Sequence, residues 1–324
     1  MRYHRTVRAD VTGERPGAVR LDLAVSRAFG LSRRAARDAV RSGRVDLDGE
    51  VADEPGREIA EGARLSFSPD RPARHHVRTR LTVLAEDPDF VIVEKPAGLL
   101  TVPTAERETD TLHARVLDYL HHRFKRRPTA FIVHRIDRDT SGAVVFARTR
   151  EALHFLQDLF KRHDIEREYA AIVRGRLPES GTFSADLVRN RGDLRRGVAR
   201  PGQPGRRAVT RYRVLEHLAG ASLVSVELET GRTHQIRVHF AEAGHPVLGD
   251  RVYGSPQSTA DSRQFPRQML HARKLGFAHP RSGEVVRAES PLPRDFQDTL
   301  EDLRRKKKRP GDPGRERAQK RELR

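Results

Sequence analysis

The sequence contains no cysteine. Disulfides, thiol nucleophiles, cysteine-ligated zinc and iron–sulfur clusters are excluded on that ground alone. Long hydrophobic runs are missing too. Uninterrupted apolar stretches such as Ala143 to Ala147 fall far short of the roughly 20 residues that a membrane-spanning helix requires. The first residues, Met1-Arg2-Tyr3-His4-Arg5, lack the apolar centre of a secretory signal, so neither membrane nor secretion is expected and a cytoplasmic location is. The motif H-E-x-x-H is absent. Of the fifteen histidines, His75-His76 and His121-His122 are adjacent pairs and His234 and His239 stand five apart, whereas ligands sharing a helix face lie three or four apart. No metal and no cofactor are expected.

What the chain does have is positive charge. Its 63 Lys and Arg against 45 Asp and Glu leave a formal net charge of +18 over 324 residues, a field that attracts polyanions. The length allows two domains, or one large domain with appendages. Residues 304–324 hold eleven Lys or Arg against three acids and almost no apolar side chains, a composition expected to be disordered.

Residues Arg20 to Phe67 read as a module of their own. Leu21, Val25, Ala28 and Phe29 recur at helical spacing, Gly30 can stop that helix, and Ser32 can cap a second one running to Gly43. Along the second helix Arg33, Arg37, Arg41 and Arg44, with Arg34 beside them, form a row of guanidiniums. Val45, Leu47 and Val51 then alternate around Asp48-Gly49, a strong hairpin signal. Arg20-Leu21-Asp22, Ser32-Arg33, Gly43, Val45, Gly49 and Glu61-Gly62 resemble the S4-like class of RNA-binding domain. That resemblance implies that Arg33, Arg34, Arg37, Arg41 and Arg44 track RNA phosphates without reading sequence; a solvated basic face is the alternative.

Ser68 to Arg80 has no periodicity and reads as a linker. Beyond it, Leu81 to Leu84 and Phe90 to Val93 read as strands, Lys95-Pro96-Ala97-Gly98 ends regular structure, and Asp110 can cap a helix striped by Leu112, Val116 and Leu120. The stretch His134-Arg135-Ile136-Asp137-Arg138-Asp139-Thr140-Ser141-Gly142 lies between two apolar runs, Ala130 to Val133 and Ala143 to Ala147. Both runs read as buried strands holding a polar loop. Glu151 to Arg162 reads as a helix, with Leu156, Leu159 and Phe160 inward. Tyr169, Ala171 and Val173 share one face of a strand, whereas Arg189 to Arg207 reads as a long flexible basic loop. Strands at Thr210 to Leu215 and Leu223 to Leu228 lead to Thr230-Gly231-Arg232-Thr233-His234-Gln235-Ile236-Arg237-Val238-His239, a strand feeding an amphipathic helix that stops at Gly244.

From Leu81 to about Phe296 these segments resemble, in order, the RluA-type pseudouridine synthases. The match rests on H-R-L-D-x-x-T-S-G, with Ile136 in place of Leu; on K-x-Y-x-A-x-V-x-G, with Arg167 in place of Lys; and on T-G-R-x-H-Q-I-R-V-H, met at every fixed position. The fold that the resemblance implies is α+β, a mixed, mainly antiparallel sheet flanked by helices, behind a small N-terminal α/β RNA-binding domain. The implied boundaries are an extension over 1–17, the S4-like domain over 18–68, a linker over 69–80, the catalytic domain over 81–300 and a basic tail over 301–324.

The implied activity is isomerisation of uridine to pseudouridine in RNA, foremost in large-subunit ribosomal RNA, since the ribosomal enzymes of the family more often carry the S4-like domain. Transfer RNA is the alternative substrate. Asp137 is then the catalytic aspartate, held by Arg237, with Tyr169 stacking on the base or accepting its carbon 5 proton. Arg135 would fill the space left by a flipped base, Ile236 would pack beside the base, and Arg232 and His134 complete the substrate-binding set. A non-catalytic RNA-binding or ribosome-assembly factor would not need Asp137, Tyr169 and Arg237 together. A glycosidase or nuclease using Asp137 with Asp139 fits poorly, because two positions on one loop do not guarantee opposed carboxylates. The chain reads as a monomer.

Overall fold

The computed structural model describes residues 5–8, 19–52, 55–60, 62–71, 81–104, 108, 110–124, 129–193, 195–254 and 265–308. Residues 61, 72–80 and 309–324, on which part of the S4-like pattern, most of the linker with His75-His76, and most of the tail were placed, lie outside them. The chain forms two compact units, one from 1–80 with 103–118 and one from 81–102 with 119–324.

In the first unit α1, Leu21–Phe29, stops at Gly30, whose backbone is left-handed at φ 66°, a conformation in which any Cβ is strained. The second helix, α2, Arg33–Arg41, begins at Ser32, whose hydroxyl accepts the Ala35 N–H at 3.1 Å. Strands β1, Arg5–Arg8, β3, Val45–Leu47, β4, Glu50–Ala52, and β6, Arg64–Phe67, form a sheet in the order β1-β6-β3-β4, while β2, Val19–Arg20, pairs with β5, Glu58–Ile59. Asp48 and Gly49 join β3 to β4 with φ of 54° and 89°, as a tight hairpin turn demands. Leu21, Val25, Ala36, Val40, Val45 and Leu65 are fully buried in one core. The segment read as an N-terminal extension thus supplies a strand to this sheet.

The guanidinium row is broken. Arg37 Nε turns to the buried carboxylate of Asp22 at 2.8 Å, joined by Arg20 Nε at 3.1 Å, and Arg44 Nε bonds the Arg71 carbonyl at 3.0 Å. Burial pushes Asp22 up, but the two guanidiniums outweigh it and hold the carboxyl below 3.8. Arg33, Arg34 and Arg41 remain exposed. On α3, Leu112–Phe124, the stripe Leu112, Val116 and Leu120 is buried as expected. The cap is Thr111, whose Oγ1 accepts the Ala114 N–H at 3.2 Å, while Asp110 bonds Arg115 instead.

The second unit is organised on one sheet of eleven strands. These are β7, Thr82–Glu86, β8, Phe90–Lys95, β9, Phe131–Ile132, β10, Ser141–Ala147, β11, Glu166–Arg174, β12, Ser180–Val188, β13, Gly197–Val198, β14, Arg206–Leu218, β15, Ala221–Leu228, β16, Leu270–Ala278, and β17, Val285–Glu289. The order is β13-β12-β14-β15-β11-β16-β10-β8-β7, with β17 on β16 and β9 on β10. Pairing is antiparallel except between β10 and β16. At that junction Gly142 faces Ala272, and a Cβ on Gly142 would stand 2.1 Å from the Ala272 carbonyl oxygen; only glycine lets the loop enter the sheet there.

Helices cover the sheet. The buried stripe of α4, Arg150–Arg162, shares a core with Ile92, Val145 and Phe277, and α6, Arg294–Lys308, buries Phe296, Leu300 and Leu303 with Ile172 and Leu223. Three expectations fail. Ala130 to Val133 is not a buried strand, since β9 holds two residues and Ile132 is 40% exposed. Arg189 to Arg207 is not one long loop, because β13 pairs with β12 and the Ala199 N–H bonds the Asp186 carbonyl at 2.7 Å. Nor does the tail begin at 304: α6 runs to Lys308, held by Arg304 to Glu216 at 2.6 Å and Lys306 to Asp302 at 2.7 Å.

Candidate active site

Asp137 sits on the loop between β9 and β10, and the loop is pinned from outside its own sequence. Lys95 at the end of β8 is fully buried, and its Nζ donates to the carbonyls of Pro96, Leu99 and Arg138 at 2.9, 2.6 and 2.6 Å. Burial pushes the Lys95 ammonium down to about 7. Thr101 Oγ1 bonds the Ile136 carbonyl at 2.9 Å, and Arg267 Nη1 bonds that of Asp139 at 3.1 Å. Asp139 itself is exposed.

Opposite the loop stands α5, Gln235–Glu242. Its entry is locked by the Gln235 amide, whose Oε1 accepts from Thr230 Oγ1 at 2.7 Å and from the Arg232 N–H at 3.0 Å, while its Nε2 donates to the Val209 carbonyl and Thr210 Oγ1, both at 2.9 Å. His234 takes a left-handed backbone before the helix, at φ 59°. One turn into α5, Arg237 reaches both ways. Its Nε and Nη2 grip Asp250 at 2.6 and 2.9 Å, and its Nη1 donates to Asp137 Oδ2 at 3.0 Å. Arg237 and Asp250 are 6% and 1% exposed, against 21% for Asp137.

This is a carboxylate relay, in which Asp250 fixes the guanidinium and the guanidinium fixes Asp137. Burial pushes the Arg237 guanidinium down, but Asp250 overrides it and holds the group above its ordinary range. Burial likewise pushes Asp250 up, and Arg237 more than compensates, keeping it below 3.8. The sign of the acid response follows. Because the folded chain holds the proton off Asp250 where the unfolded chain would bind it, the pair's stabilisation is present above the ordinary value of 3.8 and is lost as pH falls through the lowered one. Thermal unfolding followed from about pH 6 to about pH 3 should show a steeper loss of stability for the native chain than for Asp250→Asn.

Asp137, Arg237, Tyr169, Ile236, Arg135, Arg232 and His134 all line one cleft of about 540 Å³, large enough for a nucleoside. Every site residue expected in this unit is therefore brought together. Tyr169 is buried, and burial raises its phenol above 10.0. Arg135 is exposed and makes no ion pair among the described residues. Arg232 Nε bonds the Arg207 carbonyl at 3.1 Å. His134 does structural duty as well: its Nε2 accepts the Val145 N–H at 3.1 Å and its ring stacks on Phe160 with centroids 4.6 Å apart. Burial, aided by Arg167, drives it to about 3, so the ring is neutral.

Sequence reasoning assigned no role to Gln235, although it is a fixed position of the T-G-R-x-H-Q-I-R-V-H motif, and none to Asp250, because each acts through partners that folding supplies. Lys95, read from sequence only as the start of a stretch that ends regular structure, also pins the loop through its three carbonyl partners. His234 had no assigned role, yet its Nε2 stands 3.8 Å from Asp137 Oδ1 and its Nδ1 2.9 Å from the Tyr253 hydroxyl. Among the described residues, Asp87, Asp89 and His279 come close enough to share a metal ion. Asp89 is already met by the Arg281 guanidinium, whose Nε stands 2.5 Å away, and His279 Nε2 lies 3.3 Å from Asp87.

A chain with a mixed sheet presenting an arginine-bound aspartate in a nucleoside-sized cleft, and with a separate small helix-and-hairpin unit, has clear relatives. Residues 89–242 match the RNA pseudouridylate synthase family, and residues 19–65 match the S4 domain. Ribosomal large subunit pseudouridine synthase D of Xanthomonas campestris is 37% identical over 84% of this chain and 85% of its own length. The protein of that name from Escherichia coli K12 is 33% identical over 88% and 90%. Among solved structures, human RNA pseudouridylate synthase domain containing 1 superposes with a TM-score of 0.55 at 28% identity, covering 69% of this chain and 95% of that one. The chain belongs to the RNA pseudouridylate synthase family and carries an S4 domain. It is an RNA-modifying isomerase.

Proposed function

We propose that the chain isomerises uridine to pseudouridine in large-subunit ribosomal RNA, with Asp137 as the catalytic carboxylate. The observation that carries this reading is Asp137 Oδ2 held 3.0 Å from Arg237 Nη1 in a cleft shared with Tyr169. The names of the relatives supply the RNA class. In the reaction the bond from nitrogen 1 to the sugar breaks, carbon 5 bonds the same sugar carbon, the carbon 5 proton leaves and nitrogen 1 gains one. Nothing is oxidised and no cofactor is required. Such a reaction needs a carboxylate whose orientation is fixed and a pocket that keeps bulk water from the detached base.

A uridine within a helix must first be flipped out, at a cost of a few kcal/mol of stacking. Arg135 would take its place, Ile236 and Tyr169 would hold the ring, and Arg232 and His134 would shape the entrance. The S4-like domain over 18–68 adds phosphate contacts through Arg33, Arg34 and Arg41, with Arg37 and Arg44 acting on the protein's own fold. The catalytic domain spans 81–300 in this reading, after a linker at 69–80, and the chain works as a monomer in the cytoplasm.

The test is single-nucleotide pseudouridine mapping on unmodified ribosomal and transfer RNA incubated with the purified chain. New sites in the large-subunit RNA are expected; sites confined to transfer RNA would move the enzyme to that substrate. Replacing Arg33, Arg34 and Arg41 together by alanine should weaken RNA binding at all sequences alike. It should also flatten the dependence of log affinity on log salt by roughly one for each phosphate that the variant no longer neutralises. The matching exchange of Arg37 and Arg44 should lower thermal stability instead, which salt-titrated binding and unfolding curves separate.

A further inference from the structure

Three arginines are buried among the described residues, Arg167, Arg237 and Arg267. Arg237 is paired with Asp250 and Arg267 with Asp295. Arg167 has no acidic partner among the described residues. It is 9% exposed, its Nη2 bonds the Leu228 carbonyl at 3.1 Å, and its Nε is buried without any hydrogen-bond partner. The guanidinium lies over the Phe160 ring, 5.4 Å from the centroid, and a Cβ on Gly231 would come within 2.9 Å of Nη1. Taking an unpaired cation out of water is costly, and a folded chain that keeps one is poised to receive an anion.

Arg167 lines the same cleft as Asp137. The charges there are unequal in provision: Asp137 is met by Arg237, whereas Arg167 is met by no described carboxylate. Tyr169 senses both, its phenol lowered by Arg167 and raised by Asp137 on top of the larger effect of burial. A uracil ring offers carbonyl oxygens but no charge. The anionic groups of RNA are its phosphodiesters, and a planar guanidinium matches two phosphate oxygens at once.

We propose that Arg167 is the receptor for one of the two phosphodiesters flanking the flipped uridine, fixing the sugar so that its reacting carbon faces Asp137. This rests on the isomerase reading above. It makes Arg167 a substrate-binding residue, with Phe160 and the Leu228 carbonyl holding the guanidinium in place before RNA arrives.

The experiment measures kcat/KM for the full chain on RNA carrying the mapped uridine, with each flanking phosphate replaced in turn by an uncharged methylphosphonate. A charge-assisted contact predicts that one of the two replacements costs the native chain about tenfold to a hundredfold. Arg167→Gln should lose a similar factor on natural RNA and nothing further on the sensitive methylphosphonate, because both changes remove one interaction. Arg167→Lys keeps the charge and should remain sensitive. Indifference of the native chain to both methylphosphonates overturns the proposal whatever the variants do, and it is read without relying on a variant that folds. Losses from Arg167→Gln and from the methylphosphonate that multiply would also overturn it, showing Arg167 to be a structural strut. If the native chain forms no pseudouridine on unsubstituted RNA, the isomerase reading falls first, and that control shows it separately.

Discussion

Asp137→Asn should reduce pseudouridine formation by at least about a thousandfold while RNA affinity and thermal unfolding stay close to native. The substitution preserves shape. Asparagine can still accept the hydrogen bond that Arg237 Nη1 now gives to Asp137 Oδ2 at 3.0 Å, and the side chain is 21% exposed, so little packing depends on it. What is lost is the negative charge, and with it the capacity to bond or steady the detached sugar or base, or to remove a proton. Single-turnover release of the carbon 5 hydrogen from labelled RNA measures the effect without confusion from slow product departure. Retention of a tenth of native activity would remove Asp137 from the chemistry.

Asp250→Ala should lower both stability and activity, through a different cause. It leaves the Arg237 guanidinium, 6% exposed, without the partner that grips it through two bonds of 2.6 and 2.9 Å. Breaking one side of a buried pair costs about 3–5 kcal/mol, since the remaining charge stays desolvated. For a domain of this size that corresponds to a fall of roughly 10 °C in Tm. Asp250 Oδ1 also accepts the N–H groups of Val252 and Tyr253 at 2.9 and 3.0 Å, so the turn that carries Tyr253 loosens as well. Activity should fall by about a hundredfold, because the guanidinium is no longer held to orient Asp137. Calorimetry and single-turnover kinetics on the same preparation check both. A variant as stable as the native chain would show that Asp250 is not the anchor of Arg237.

Local chemistry made some of this legible in the sequence. Ser32 before α2, Gly30 after α1 and Asp48-Gly49 between β3 and β4 act through their own backbone and nearest neighbours, so sequence suffices. The site residues were gathered by motif resemblance, and the cleft holds all seven that lie in the second unit. What escaped is long-range. Asp250 is thirteen positions from Arg237, and Lys95 is forty-three from the Arg138 carbonyl that it bonds. No spacing rule connects such pairs. The stretch 189–207 looked like a loop because of its Gly, Pro and Arg, yet β12 offered a hydrogen-bonding edge and pairing overrode composition. Charge density at 304–308 pointed to disorder, whereas Glu216 on β14 and the Lys307 bond to the His217 carbonyl give those cations partners in the fold.

The central claim is that the chain makes pseudouridine through Asp137. Its most direct test is to incubate unmodified large-subunit ribosomal RNA with equal amounts of the native chain and Asp137→Asn and to map pseudouridine at single-nucleotide resolution. Discrete new sites with the native chain alone, at equal RNA binding by both proteins, are the result this account predicts. Equal maps from the two proteins, whether both carry the same sites or both are empty despite tight binding, would contradict it.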